Sequence, residues 1–152
     1  MSTAGLVPEI RRLADEKLSI TLAISLHAPN DTIRNQLMPI NNTYPIEQVV
    51  AAGDYYAHIT GRRVTYEYIL ISGVNDSPDC ARELAKLMRG RLAAVNLIPL
   101  NQVVERRWER PPDQVIWNFE KTLRSLDVNV TVRKEMGPEI SAACGQLRNQ
   151  KR

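Results

Sequence analysis

The sequence predicts an α/β fold: a mainly parallel sheet with helices outside, forming part of a (β/α) barrel. Three observations lead there. Short segments rich in β-formers alternate with longer segments of helical period, as strands joined by right-handed crossover helices do. The first full strand segment is nearly continuous in apolar character, as a buried parallel strand should be. No strand segment is followed by a GxGxxG or a Walker A glycine loop, so nothing supports a Rossmann or P-loop nucleotide site. In a barrel of this kind the chemistry sits at the C-terminal ends of the strands.

The elements follow in order. Ser2-Thr3 reads as the end of a strand whose body is missing. Pro8 then opens a helix with Ile10, Leu13 and Ala14 on one face as far as Lys17. Residues 18–26 read as a strand ending at Ser25-Leu26-His27. Ala28-Pro29-Asn30-Asp31 makes the turn into a short helix carrying Ile33 and Leu37, which Pro39 stops. Thr43 is the expected N-cap of the next helix, with Pro45 just inside it. Its apolar face is Ile46, Val49, Val50 and Ala57, and Thr60-Gly61 ends it. Residues 64–71 are the next strand and 72–76 a loop. Ser77-Pro78-Asp79 starts a helix with a cap, a proline and an acid at the positive end of its dipole. Cys80, Leu84, Leu87 and Met88 share its face, and Gly90 closes it. Residues 92–98 form a strand ending at Pro99-Leu100-Asn101. A polar loop follows, and Pro111-Pro112-Asp113 opens a helix whose face is Ile116, Phe119, Leu123 and Leu126. Residues 128–133 are the last strand. The organisation expected is a half-barrel over 1–134 and a tail over 135–152.

With 152 residues the chain fits one domain with a real core. No apolar run approaches the length that crosses a bilayer, and no secretory signal is visible, which favours the cytoplasm. The net charge is +3, and most of the basic residues are arginine. Arginine suits phosphate and stacks on bases, so RNA is permitted as a partner without being required. The two cysteines, Cys80 and Cys144, form no metal-ligand spacing. Cys80 lies on a helix face and reads as core.

At the expected strand ends stand Ser2, Ser25 with His27, Asn101, and Lys134 with Glu135. His27 can orient a ligand ribose or carboxylate, or it can cap the backbone of its own turn. Asn101 can read a base or ribose edge, or it is an ordinary turn asparagine. Glu67 sits mid-strand and faces a helix end or Arg63. Arg106, Arg107, Trp108 and Arg110 form a basic patch with one aromatic, able to hold phosphates and stack a base. The plainer reading is a solvated loop with Trp108 folded onto the core. Cys144 lies between small residues and beside Gly145, which leaves its thiol open to covalent chemistry or merely exposed in a tail.

Four motifs then agree in order and spacing: Ser2-Thr3-Ala4-Gly5, Ser25-Leu26-His27-Ala28-Pro29, Ile98-Pro99-Leu100-Asn101 and Ala142-Ala143-Cys144-Gly145-Gln146-Leu147. Together they resemble the C-terminal half of the RlmN-type radical S-adenosylmethionine (SAM) RNA methyltransferases, and the related Cfr-type enzymes share most of the pattern. The resemblance covers essentially the whole chain. It implies methylation of C2 of an adenine in large-subunit ribosomal RNA, and in many members of tRNA. It implies a partial barrel with SAM and a [4Fe-4S] cluster. It implies SAM contacts from Ser2, Ser25, His27 and Asn101, with Cys144 as methyl carrier. The family's CxxxCxxC cluster motif is absent, so the resemblance also implies a fragment without the iron–sulfur half, inactive alone and completed in cis or in trans. Alternatives are a non-catalytic SAM- or RNA-binding remnant and a Cfr-like enzyme acting at adenine C8. Open sheet edges in half a barrel also favour self-association.

Overall fold

The computed structural model describes residues 1–101 and 108–133. The elements are β1 (Ser2–Thr3), α1 (Val7–Glu16), β2 (Ala23–Ser25), α2 (Asp31–Leu37), a 3-10 turn (Pro39–Asn42), α3 (Ile46–Thr60), β3 (Val64–Leu70), α4 (Pro78–Met88), β4 (Ala93–Pro99), α5 (Asp113–Ser125) and β5 (Val130–Val132). All five strands are parallel and lie in chain order, β1-β2-β3-β4-β5. Every crossover therefore steps the same way, as in a barrel wall and unlike a doubly wound sheet.

The two faces of the sheet differ in chemistry. One carries Ile24, Tyr66, Tyr68, Val95, Leu97 and Val130, which pack with α1, α3, α4 and α5 into the main core. The other face carries the intervening residues of each strand. A second apolar cluster of Leu37, Met38, Ile69, Ile71, Ile98 and Leu100 closes that face near the C-terminal ends of β3 and β4.

Two expectations need correction. The apolar run over 18–26 pairs as a strand only at Ala23–Ser25. Ala23 is opposite Thr65, one residue after β3 begins at Val64, so the residues before Leu22 lie beyond the start of that neighbour. Lys17 turns the chain there in a left-handed conformation, and Leu18 is 48% exposed. The second correction concerns α3. Its N-cap is Pro45, not Thr43, and no side chain of the cap serves the helix. Asp31 does so from α2: its Oδ1 accepts from the Ile46 N–H at 2.9 Å, and an acid there also suits the positive helix end. At α4 the expected cap is present, with Ser77 Oγ accepting from the Cys80 N–H at 3.1 Å.

The seam between α3 and β3 is tight at Gly53. A Cβ there would stand 2.1 Å from the Tyr66 hydroxyl, on a ring that is itself buried. Gly53→Ala would ordinarily favour a helix. Here it is expected to destabilise the chain by about 1–3 kcal/mol through overpacking. Thermal melting of Gly53→Ala beside Gly53→Ala/Tyr66→Phe checks this, because removing the hydroxyl should restore much of the loss.

Candidate functional site

The open face of the sheet carries a polar row. Ser25 on β2 stands opposite Glu67 on β3, Glu67 opposite Asn96 on β4, and Asn96 opposite Thr131 on β5. Residues in register share a face, so these four side chains line it together. The Thr131 hydroxyl donates to Asn96 Oδ1 at 3.4 Å. Arg133 approaches Glu67 to 4.0 Å, so the carboxylate's partner is Arg133 rather than Arg63 or a helix end. Ser2 on β1 is paired with Ala23 and is exposed.

Above this row, at the C-terminal strand ends, two buried polar side chains organise the backbone. The first is Arg34 on α2, fully buried. Its Nε donates to the Leu26 carbonyl at 3.0 Å, its Nη1 to Asn41 Oδ1 at 3.0 Å, and its Nη2 to the carbonyls of Ala4 at 2.9 Å and Ser25 at 2.8 Å. Burial lowers its pKa to about 10, opposed by the charge of Asp31, so it is a cation at neutral pH. Asn41 Nδ2 in turn donates to Asp31 Oδ1 at 2.9 Å and Asn35 Oδ1 at 2.8 Å. One network thus joins the end of β1, the end of β2, the 3-10 turn and the start of α3.

The second is Asn75, also fully buried, in the loop after β3. Its Nδ2 donates to the carbonyls of His27 at 2.9 Å and Ile69 at 2.7 Å, and its Oδ1 accepts from the Ile71 N–H at 2.8 Å. Its own carbonyl accepts from the Tyr68 hydroxyl at 2.7 Å.

His27 lies between these anchors, 4% exposed and at φ +60°. A left-handed conformation at a non-glycine residue costs about 1–2 kcal/mol and persists only where the surroundings hold it. Its Nδ1 accepts from the Ile69 N–H at 3.0 Å. Burial, with the Arg34 charge second, lowers its pKa from 6.5 to about 3. The ring is therefore neutral and carries its proton on Nε2.

Ser25 and His27 thus share one strand end, and Asn101, buried, follows β4 two residues on. Ser2 belongs to the sheet edge. Trp108 packs against the Leu37–Leu100 apolar cluster, so its ring is folded onto core. The Arg110 guanidinium pairs with Asp113 at 2.8 Å, while its buried Nε meets no partner among the described residues. Arg106, Arg107, Lys134, Glu135 and Cys144 lie outside the described residues. Sequence reasoning missed Arg34 and Asn75. The available signals were an arginine beside Ile33 on a short apolar helix face, and an asparagine in the loop after a buried strand.

The described residues contain no group of three His, Cys, Asp or Glu that could hold a metal. Cys80 is buried in the main core. No described helix is long and apolar enough to cross a membrane.

No family model matches the chain. It is 57% identical over 151 residues to a "Probable dual-specificity RNA methyltransferase RlmN" of Symbiobacterium thermophilum, covering 99% of this chain and 41% of that protein. It is 55% identical over 152 residues to the protein of the same name from Bacillus licheniformis, covering 100% and 42%. A crystal structure of a radical SAM methyltransferase from Sphaerobacter thermophilus superposes with a TM-score of 0.89 at 54% identity, covering 98% of this chain and 44% of that one. The chain matches the C-terminal part of RlmN-type radical SAM methyltransferases. It spans less than half the length of these relatives. A domain of a pyruvate-formate lyase-activating enzyme from Bacteroides vulgatus shares the fold at a TM-score of 0.67 and 16% identity.

Two outcomes follow from this RlmN-like strand end. Replacing Arg34 with Met leaves buried oxygens without donors, which is expected to cost at least about 3 kcal/mol in urea denaturation. Arg34→Lys should recover only part, because an ammonium cannot span the same fork of acceptors. The second outcome is a pH dependence. The unfolded imidazole titrates near 6.5 and the folded one near 3, so the unfolded state takes up the proton first. Stability from neutral His27 is complete above the unfolded pKa and is lost as pH falls toward the folded one. Melting between about pH 7 and about pH 5 should show this slope, and His27→Gln should flatten it.

Proposed function

We propose that this chain is the SAM-contacting half of an RNA methyltransferase that methylates C2 of adenine in large-subunit ribosomal RNA and in tRNA. The observation that carries the reading is identity above one half, along the whole chain, to proteins named dual-specificity RNA methyltransferases. The strand-end geometry supports it. Ser25, His27 and Asn101 offer a hydroxyl, a ring N–H and an amide, the donor set that a ribose, an adenine edge and an amino-acid end require. With Ser2 they are the residues that would hold SAM. When bound, SAM supplies an electrophilic methyl group.

Cys144 is the methyl carrier in this reading. Its sulfur must lose its proton before it can bond to the methyl carbon, while the donor sulfonium leaves as a neutral thioether. The basic residues Arg106, Arg107 and Arg110 contribute phosphate contacts to the RNA, while Trp108 packs against the Leu37–Leu100 apolar cluster. The cluster is a different matter. A CxxxCxxC site needs three cysteines and the chain has two, one of them in the core. The cluster does not fit this chain, and its ligands come from another segment in cis or in trans.

That cysteine count also favours a second reading, in which this polypeptide alone binds SAM or RNA without turning over. One experiment separates the two. The intact mass of the polypeptide is measured in its native cells, and Cys144 is then sought by peptide mass after exposure to methyl-labelled SAM. A larger native mass with label on Cys144, lost in Cys144→Ala, is the expected result. A native mass of 17.2 kDa with no label and no cluster-bearing partner favours binding alone.

A further inference from the structure

We infer that Asn75 and Arg34 are positioning residues that lock the backbone of residues 25–27, so that His27 can offer a ligand only a donor, its Nε2–H. The inference rests on the proposed SAM contact of this strand end and names the chemistry of one such contact.

The backbone is held at every carbonyl. Arg34 occupies those of Ser25 and Leu26, and Asn75 occupies that of His27. The N–H groups of Leu26 and His27 both donate to the Glu67 carbonyl, at 2.9 and 3.2 Å. No peptide group of this turn is left to rotate toward a ligand. The left-handed His27 is thus imposed by two side chains that come from α2 and from the loop after β3.

The ring is fixed by the same device. Asn75 Nδ2 holds the Ile69 carbonyl and its Oδ1 holds the Ile71 N–H, which sets the end of β3. The Ile69 N–H, on the same residue as the first of these carbonyls, then aims at His27 Nδ1. A neutral imidazole whose Nδ1 accepts must carry its proton on Nε2. Nothing among the described residues accepts from that Nε2–H. The ligand atom opposite it is therefore an acceptor: a ribose hydroxyl oxygen, a carboxylate oxygen or an unprotonated ring nitrogen. A ligand that presents only a donor there is rejected, because two N–H groups would face each other.

Asn75 touches no ligand in this account, so its test needs a readout that simple destabilisation would not move. The His27 tautomer of the folded, nitrogen-labelled chain supplies one, read by long-range proton–nitrogen NMR. In the unmodified chain a single Nε2–H tautomer is expected. Asn75→Ser, too short to span both carbonyls, should release a second tautomer and weaken SAM binding by about tenfold in calorimetry, or about 1.4 kcal/mol. Asn75→Asp keeps the acceptor for Ile71 but has no donor, and should show the same loss. An Nδ1–H ring in the unmodified chain overturns the inference even if no variant folds. So does an Asn75→Ser chain with an unaltered tautomer or unaltered SAM affinity. If the unmodified chain binds no SAM, the proposed function fails for this polypeptide, while the tautomer still decides whether the lock exists.

Discussion

A buried guanidinium holds the strand ends of this half-barrel together. Among the described residues the direct acceptors of Arg34 are neutral oxygens, with the Asp31 charge acting from further off. Taking a cation out of water is expensive, and four oriented acceptors are what make it tolerable. Those acceptors belong to Ala4, to Ser25 with Leu26, and to Asn41, on three separate segments. The cation therefore acts as a template. Any movement of one strand end strands a charge, so the ends of β1 and β2 move together or not at all. A lysine could carry the charge but not the planar fork that serves diverging carbonyls at once.

The same logic explains the contrast between the sheet's faces. On the helix side the residues are apolar or tyrosine, and each tyrosine hydroxyl must be accommodated. Tyr68 does so by donating to the Asn75 carbonyl, while Tyr66 presses against Gly53. On the open side the register aligns Ser25, Glu67, Asn96 and Thr131. A slip of one residue in any strand would exchange these two sets, putting Glu67 into the core and Tyr66 into the open. The row is thus both a specification of register and a ready polar surface. The cluster around Ile69 and Ile98 then closes that surface at the strand ends, with Trp108 packed against it.

Much of this was legible in the sequence because it rests on local signals. The alternation of periods gave the order of elements, Ser77 and Pro78 marked a helix start, and Ser25-Leu26-His27 stood out at a strand end. The 18–26 run was overextended because an apolar pattern reports burial, and Leu22 is buried without belonging to the ladder. Thr43 was misread because α3 takes its capping oxygen from Asp31, fifteen residues before Ile46. Arg34 and Asn75 were missed for the same reason. Their meaning lies in carbonyls 6 to 48 residues away, and no local pattern in their own segments encodes those partners.

His27 shows how far the two readings of one residue can merge. As a backbone cap it accepts from Ile69, and as a ligand contact it has only Nε2 to give. The first role sets the second, because fixing the acceptor on Nδ1 fixes the donor on Nε2. A more exposed histidine would exchange tautomers and titrate near neutrality, and its contact with a ligand would vary with pH. Burial and the Arg34 charge remove that freedom. The cost is a strained φ and a ring that burial holds neutral near pH 7. Its proposed role is accordingly recognition rather than proton transfer.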